Sequence, residues 1–187
     1  QSVDVLASGG ATLDALLREI DGARGHIHLE YYIFEPDETG SRLLQALIAK
    51  ARAGVKVRLL VDAIGSPKLL SRRHRRLLDE FRAAGGEFAV FHPARLDRLR
   101  PLVNLRTHRK IVVIDGHTGF VGSIDVTDDE NEHIRPAHAY RDTHLLIRGG
   151  PVPWPQYVFL RYWHYADGPS LIHNLSCLRY AIRSLQM

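Results

Sequence analysis

Apolar residues recur along this chain in two rhythms. From Thr12 to Ala23, Leu13, Leu16, Leu17 and Ile20 fall at i, i+3, i+4 and i+7, the stripe of a helix lying on a core. Arg24-Gly25 closes that helix. His26 to Phe34, rich in β-branched and aromatic residues and bounded by Gly25 and Pro36, reads as a strand. Asp37 or Thr39 can cap a second helix, with Leu43, Leu44, Leu47, Ile48 and Ala51 on one face and Gly54 at its stop. Val55 to Asp62 follows as a strand, and strand, helix and strand in this order predict a parallel crossover. A third helix, capped by Ser71 and closed by Gly85-Gly86, leads to a strand over Glu87 to Phe91. Strands then dominate: Ile111 to Ile114 is apolar on both faces, as a buried strand is. His117-Thr118-Gly119 turn the chain into a return strand over Phe120 to Gly122, and Arg141 to Arg148 alternates toward Leu145 and Ile147. Val152 to Tyr165 reads as a proline-opened helix with Val158, Phe159, Tyr162 and Trp163 inward. The pattern predicts an α/β fold with a mixed, largely parallel sheet and helices on both faces.

Composition narrows the class without choosing a function. A chain of 187 residues, 45% hydrophobic and 25% charged, fits one globular domain. No apolar run approaches the ~20 residues of a membrane-spanning helix. The single Cys177 excludes an intrachain disulfide and a multi-cysteine zinc site. A net charge of +4 and a pI near 9.4 favour an anionic partner, and phospholipid headgroups and nucleic acid both qualify. Arg72, Arg73, His74, Arg75 and Arg76 cannot all point one way, so part of that run is a solvated face. Arg95, Arg98, Arg100 and Arg106, just before the most informative stretch, can attract an anionic surface. Thr127 to Ala139 reads as a polar loop with His133 and His138 exposed. From Pro169 onward, Leu171, Ile172, Leu175, Leu178, Ile182 and Leu185 repeat at helical spacing.

The chemistry concentrates between Asn104 and Asp125. Residues i and i+2 of a strand share a face, so His108 and Lys110 point together ahead of the apolar run. A phosphodiester resists attack because its negative oxygens repel nucleophiles, and a lysine that neutralises charge developing on them lowers the barrier. Histidine serves as nucleophile or general acid/base near neutral pH. Asp62 and Ser66 lie at the carboxyl end of a strand, where open α/β sheets hold ligands. His26, His28 and Glu30 share one strand face, but a metal site there needs further ligands.

The string His108-x-Lys110-x-x-x-x-Asp115 followed by Gly122-Ser123 resembles the signature of the phospholipase D superfamily. Ile27 to Ser66, Tyr140 to His144 and Tyr157 to Tyr165 are similar to segments of bacterial cardiolipin synthases, which carry the motif twice; here it occurs once. The resemblance implies a phospholipase D-like αβα sandwich over residues 1–168, with 169–187 an amphipathic helix or tail. It implies a phosphatidyltransferase acting without metal or cofactor through a phosphohistidine on His108, with Lys110 on the phosphate and Asp142 orienting the imidazole. Glu130 and Glu132 are alternatives for that carboxylate. Asp115, part of the motif, is expected to bond backbone or basic groups at its strand end. Ser123 resembles the small residue that contacts phosphate, and Glu30 can support the site's floor. Asp125 departs from the family's usual Asn, and a carboxylate there repels phosphate unless protonated or paired. The implied partners are a phosphatidylglycerol-like anionic lipid, the cytoplasmic membrane surface, and a second His-x-Lys half supplied in cis or by a homodimer. A single-motif homodimeric nuclease and a non-catalytic anion-binding module are the alternatives.

Overall fold

The structure is a computed structural model that describes residues 1–92 and 106–167. Its elements run β1 (Ser2–Leu6), α1 (Gly9–Gly22), β2 (His26–Tyr31), α2 (Glu38–Arg52), β3 (Lys56–Asp62), α3 (Arg75–Ala83), β4 (Glu87–Phe91), β5 (Lys110–Ile114), β6 (Thr118–Gly122), β7 (His144–Arg148) and α4 (Pro153–Asp167). The tail from 169 and the basic positions Arg95, Arg98 and Arg100 lie outside the described residues.

The strands form one seven-stranded mixed sheet in the order β1-β7-β6-β5-β2-β3-β4. Parallel pairing is confined to β2-β3 and β3-β4, where α2 and α3 supply the crossovers. The β2-β5, β5-β6, β6-β7 and β7-β1 pairs are antiparallel. The sheet is therefore mixed, as expected, but its parallel part ends where the helix-crossover rhythm ends. Strand β1 is not among the expected elements, although Val3 and Val5 alternate with polar neighbours. Its Val3 and Val5 are 57% and 66% exposed, so ladder bonds to β7 hold this edge without a buried apolar face.

Alternation along the strands splits the core in two. Ile27, Leu29, Val57, Leu59, Val112 and Ile114 face Leu16, Ile20, Leu43, Leu47, Leu78 and Phe81 of the first three helices. On the opposite face Leu60, Ala89 and Phe91 meet Phe159, Leu160 and Trp163 of α4, while Ile111 and Val113 meet Val152. Asp37 does cap α2, accepting from the Gly40 N–H at 3.0 Å. Ser71 caps nothing with its side chain; its hydroxyl donates to the Lys68 carbonyl, and Arg72–His74 form a 3-10 turn before α3.

The β5-β6 turn is made by Asp115-Gly116, both at positive φ (51° and 72°), with the His117 N–H bonded to the Ile114 carbonyl. Aspartate and glycine tolerate this left-handed backbone, so the turn falls earlier than His117-Thr118-Gly119. The Asp115 carboxylate accepts from the backbone N–H groups of Arg24, Gly25 and His26 at 2.9, 2.7 and 2.8 Å, tying the hairpin to the start of β2. Burial raises its pKa, but those three bonds outweigh it, and the net shift is downward. A lowered folded value contributes stability above the unfolded pKa of ~3.9 that disappears as pH falls through the folded one. Asp115→Ala is therefore expected to cost about 1–3 kcal/mol in urea unfolding at neutral pH. The difference from the parent should shrink in acid; an equal difference at both pH values would count against this role.

Candidate active site

His108 stands just ahead of β5 and is exposed, whereas Lys110, the first residue of the strand, is 1% exposed. The Lys110 Nζ lies 3.3 Å from Nδ1 and 3.4 Å from Nε2 of His108, so the i, i+2 spacing does bring the pair together. The ammonium is nearly equidistant from the two nitrogens and is committed to neither. Tyr32, which the sequence reading left out, packs its ring 4.7 Å from the imidazole centroid, and Lys110 Nζ lies 5.4 Å over the same ring. An aromatic face favours a cation there.

The lysine's anionic partner is Asp125. Its Oδ2 sits 3.1 Å from Nζ, and both side chains are buried. Its Oδ1 accepts from the Ile33 N–H at 2.8 Å, and its own N–H donates to Glu130 Oε2 at 2.8 Å. Burial raises the Asp125 carboxyl, against the pull of the Ile33 N–H and the Lys110 charge. Burial also pushes Glu130 up to about 7, with Asp125's charge adding to the rise. The carboxylate at position 125 is thus the ion-pair partner of the lysine.

Lys110 lies opposite Gly122 of β6, which lies opposite His144 of β7. A Cβ on Gly122 would come within 2.6 Å of the His144 Cα and the Thr143 carbonyl, so only glycine lets β7 approach here. The His144 ring fills that gap, fully buried, with neither nitrogen bonded to a described residue. Burial, reinforced by the Lys110 charge and opposed by Asp142, brings its pKa down to about 4, so the ring is neutral at physiological pH.

The remaining expected residues distribute around this row. Ser123 Oγ donates to Asp142 Oδ1, which also accepts from the Thr143 N–H at 2.7 Å. Those bonds hold the Asp142 pKa down. Asp142 does not bond the His108 ring in this structure, and neither does Glu130 or Glu132. Glu132 instead accepts from the Gly10 N–H at the start of α1. Glu30 lies on the α4 face of β2, away from Lys110, and takes the Thr107 hydroxyl on Oε1. It supports the residue before His108 and does not line the phosphate side. Burial raises its pKa to about 7, against that bond and the Arg109 charge.

Asp115 is at the far end of β5, roughly 23 Å of extended strand from His108 at ~3.3 Å per residue. It belongs to the turn and not to the pocket. Asp62 is buried and accepts from the Ile64 and Gly65 N–H groups, with the Thr107 N–H at 3.4 Å from its Oδ2. Ser66 Oγ donates to the Tyr32 carbonyl at 2.9 Å and accepts from the Phe34 N–H. Both hold the backbone that carries the pocket. Farther off, Gln156 bridges His26 and His28 at 3.0 and 2.8 Å, occupying the face that a metal would have needed.

An exposed imidazole at the head of a central strand, backed by a buried lysine and a hydroxyl held by a carboxylate, suits nucleophilic attack on a phosphate ester. The fold has solved counterparts. Over 88% of this chain and 95% of the other, it superposes with a TM-score of 0.65 on Nuc of Salmonella typhimurium, a phospholipase D family member 21% identical in sequence. Residues 16–135 match the family model described as cardiolipin synthase, PLD-like domain, and the chain belongs to that family. It is 45% identical over 168 residues to the cardiolipin synthase of Geobacillus kaustophilus, covering 90% of this chain and 33% of that one. The major cardiolipin synthase of Bacillus subtilis is 43% identical over 167 residues, 89% of this chain and 34% of its own. The chain thus spans about a third of the length of the relatives it matches.

Proposed function

We propose that this chain is one half of a cardiolipin synthase-like phosphatidyltransferase site, acting on a phosphatidylglycerol-like lipid at the cytoplasmic membrane surface. What carries the reading is the pairing of an exposed His108 with a buried Lys110 at the start of the central strand β5, within a chain of the cardiolipin synthase PLD-like family. A ring nitrogen of His108 attacks phosphorus, the bond to the leaving alcohol breaks, and a phosphatidyl-histidine forms. A second alcohol then attacks phosphorus and releases the imidazole. Lys110 and Ser123 neutralise and hold the phosphate oxygens, and Asp142, whose Oδ2 makes no hydrogen bond among the described residues, turns to the ring to fix its tautomer. Glu30 steadies the loop through Thr107. No step requires a metal or cofactor.

The alkoxide leaving group needs a proton from the side opposite the attack, which His108 cannot supply while it attacks. That proton belongs to a second His-x-Lys half, in cis or in a symmetric dimer. Membrane contact is peripheral or through segments outside this chain; among the described residues no helix is long and apolar enough to cross a bilayer. Fractionated by size and assayed on phosphatidylglycerol vesicles, the monomer is expected to show no turnover, while the dimer or a longer two-motif protein does. Robust phosphatidyl transfer by a demonstrated monomer would overturn the half-site assignment. One competing outcome is a dimer that cleaves nucleic acid and ignores lipid.

A further inference from the structure

Asp125 pairs with the lysine that faces the candidate anion site, and this geometry bears on how an anion enters. Lys110, Asp125 and Glu130 form a connected group: Nζ to Oδ2 at 3.1 Å, then the Asp125 N–H to Glu130 Oε2 at 2.8 Å. With both carboxylates ionised the three side chains sum to one negative charge, and a phosphodiester anion is repelled from the lysine that should receive it. One proton on the carboxylates brings the group to neutrality and frees the ammonium to turn to phosphate. We propose that Asp125 is a positioning residue that occupies Lys110 while the site is empty, and that phosphodiester binding is accompanied by uptake of one proton onto the Asp125–Glu130 pair. This rests on the phosphodiester reading above and adds a regulation of the same site by pH.

The surroundings favour this location for the proton. Glu130 is raised by burial and by the charge of Asp125, so the pair gives up its last proton reluctantly near neutrality. The other ionisable groups that face it are few. From β2 comes Tyr31, fully buried, its hydroxyl pushed up by burial and by both carboxylates, so it stays protonated. His144, beside Lys110 on β7, is neutral across the range in question. Asp142 is held ionised by Ser123 and Thr143 and exerts its charge on Glu130. His108, whose charge acts on Asp125, and Glu30, raised to about 7 and bonded to Thr107 beside His108, lie near the anion's path, and their contributions must be separated experimentally.

The probe is bis(4-nitrophenyl) phosphate, a monoanion throughout the range used, titrated calorimetrically into the folded chain in buffers of different ionisation enthalpy. Protonation of a raised carboxylate favours binding, so affinity is expected to fall as pH rises through neutrality. The loss should reach about tenfold or more between about pH 5.5 and about pH 8.5, with about one proton taken up per anion. Asp125→Asn keeps an oxygen for the Ile33 N–H but removes the charge. It should bind about tenfold more tightly than the parent at the higher pH and lose the proton uptake. Glu130→Gln, which keeps an acceptor for the Asp125 N–H, should lose it as well, and in a His108→Ala background the uptake should persist.

Equal affinity at both pH values, uptake that survives Asp125→Asn, or uptake that vanishes with His108 would each overturn the inference while leaving the phosphodiester reading intact. Absence of binding by both the parent and Asp125→Asn at every pH would instead overturn that reading, and this inference with it.

Discussion

In an assembly with a complete site, His108→Ala is expected to lower turnover by about 10⁴-fold or more, because removing a nucleophile removes the covalent route itself. The residue is exposed, so the fold should survive intact, and the loss should appear in the rate and not in the amount of protein. A denaturing quench at alkaline pH during turnover of the parent should trap a protein-bound phosphate label that acid then releases, as it does from a phosphohistidine, and the variant should trap none. If His108→Ala kept a measurable covalent intermediate, another residue would have to be the nucleophile. Tyr32, packed on the imidazole, would then be the first to replace.

Lys110→Met should act on stability as well as on catalysis. The lysine side chain is 1% exposed and its partner Asp125 5%, so removing the ammonium strands a carboxylate in the interior with the Ile33 N–H as its principal support. Breaking a buried pair in this way costs about 3 kcal/mol, which should appear as a lower denaturation midpoint at unchanged slope. Burial already raises the Asp125 carboxyl, so the penalty should be largest at high pH, where the stranded group is charged, and should shrink as it protonates in acid. Adding Asp125→Asn should recover most of the stability and none of the turnover. That separation matters: a lysine that only held the fold would be restored on both counts by the double substitution. Unchanged stability in the single variant would mean that the buried ion pair contributes nothing.

The two effects together explain why the site is built with one exposed and one buried member. In the proposed reaction the nucleophile must meet a lipid phosphate at the open end of β5, and the exposure of His108 permits that. The cation must stay fixed while charge develops on the phosphate oxygens, and a lysine enclosed by β5, β6 and Tyr32 is held with little freedom to lose.

Much of this was legible before the structure. The i, i+2 rule put His108 beside Lys110 because strand geometry is local, and the coordinates return them 3.3 Å apart. Helix α2 was visible in its leucine stripe and its Asp37 cap, and the parallel β2-β3 pair followed from the strand-helix-strand order. Such signals are carried by residues close in sequence, where periodicity and turn chemistry act directly. The family, too, was written in the motif and the Ile27 to Ser66 stretch.

What the tertiary structure decided are the meetings between residues distant along the chain. Asp125 read as a liability for phosphate because its pairing with Lys110, fifteen positions earlier, depends on how β6 returns along β5. Asp115 has the same chemistry as Asp125, yet it serves three backbone N–H groups some ninety residues earlier, because β5 carries it to the opposite end of the sheet. The Asp142 carboxylate goes to Ser123 and the Thr143 N–H, a choice set by the β6-β7 approach that Gly122 allows. The edge strand β1 left only the short alternation of Val3 and Val5 with polar neighbours, and an edge held by backbone bonds needs no more. The sequence by itself determined the family, the candidate side chains of the proposed chemistry and most of the local elements that carry them. The packing of the sheet determined which carboxylate meets which cation, because burial and proximity are properties of the folded chain and not of any stretch of it.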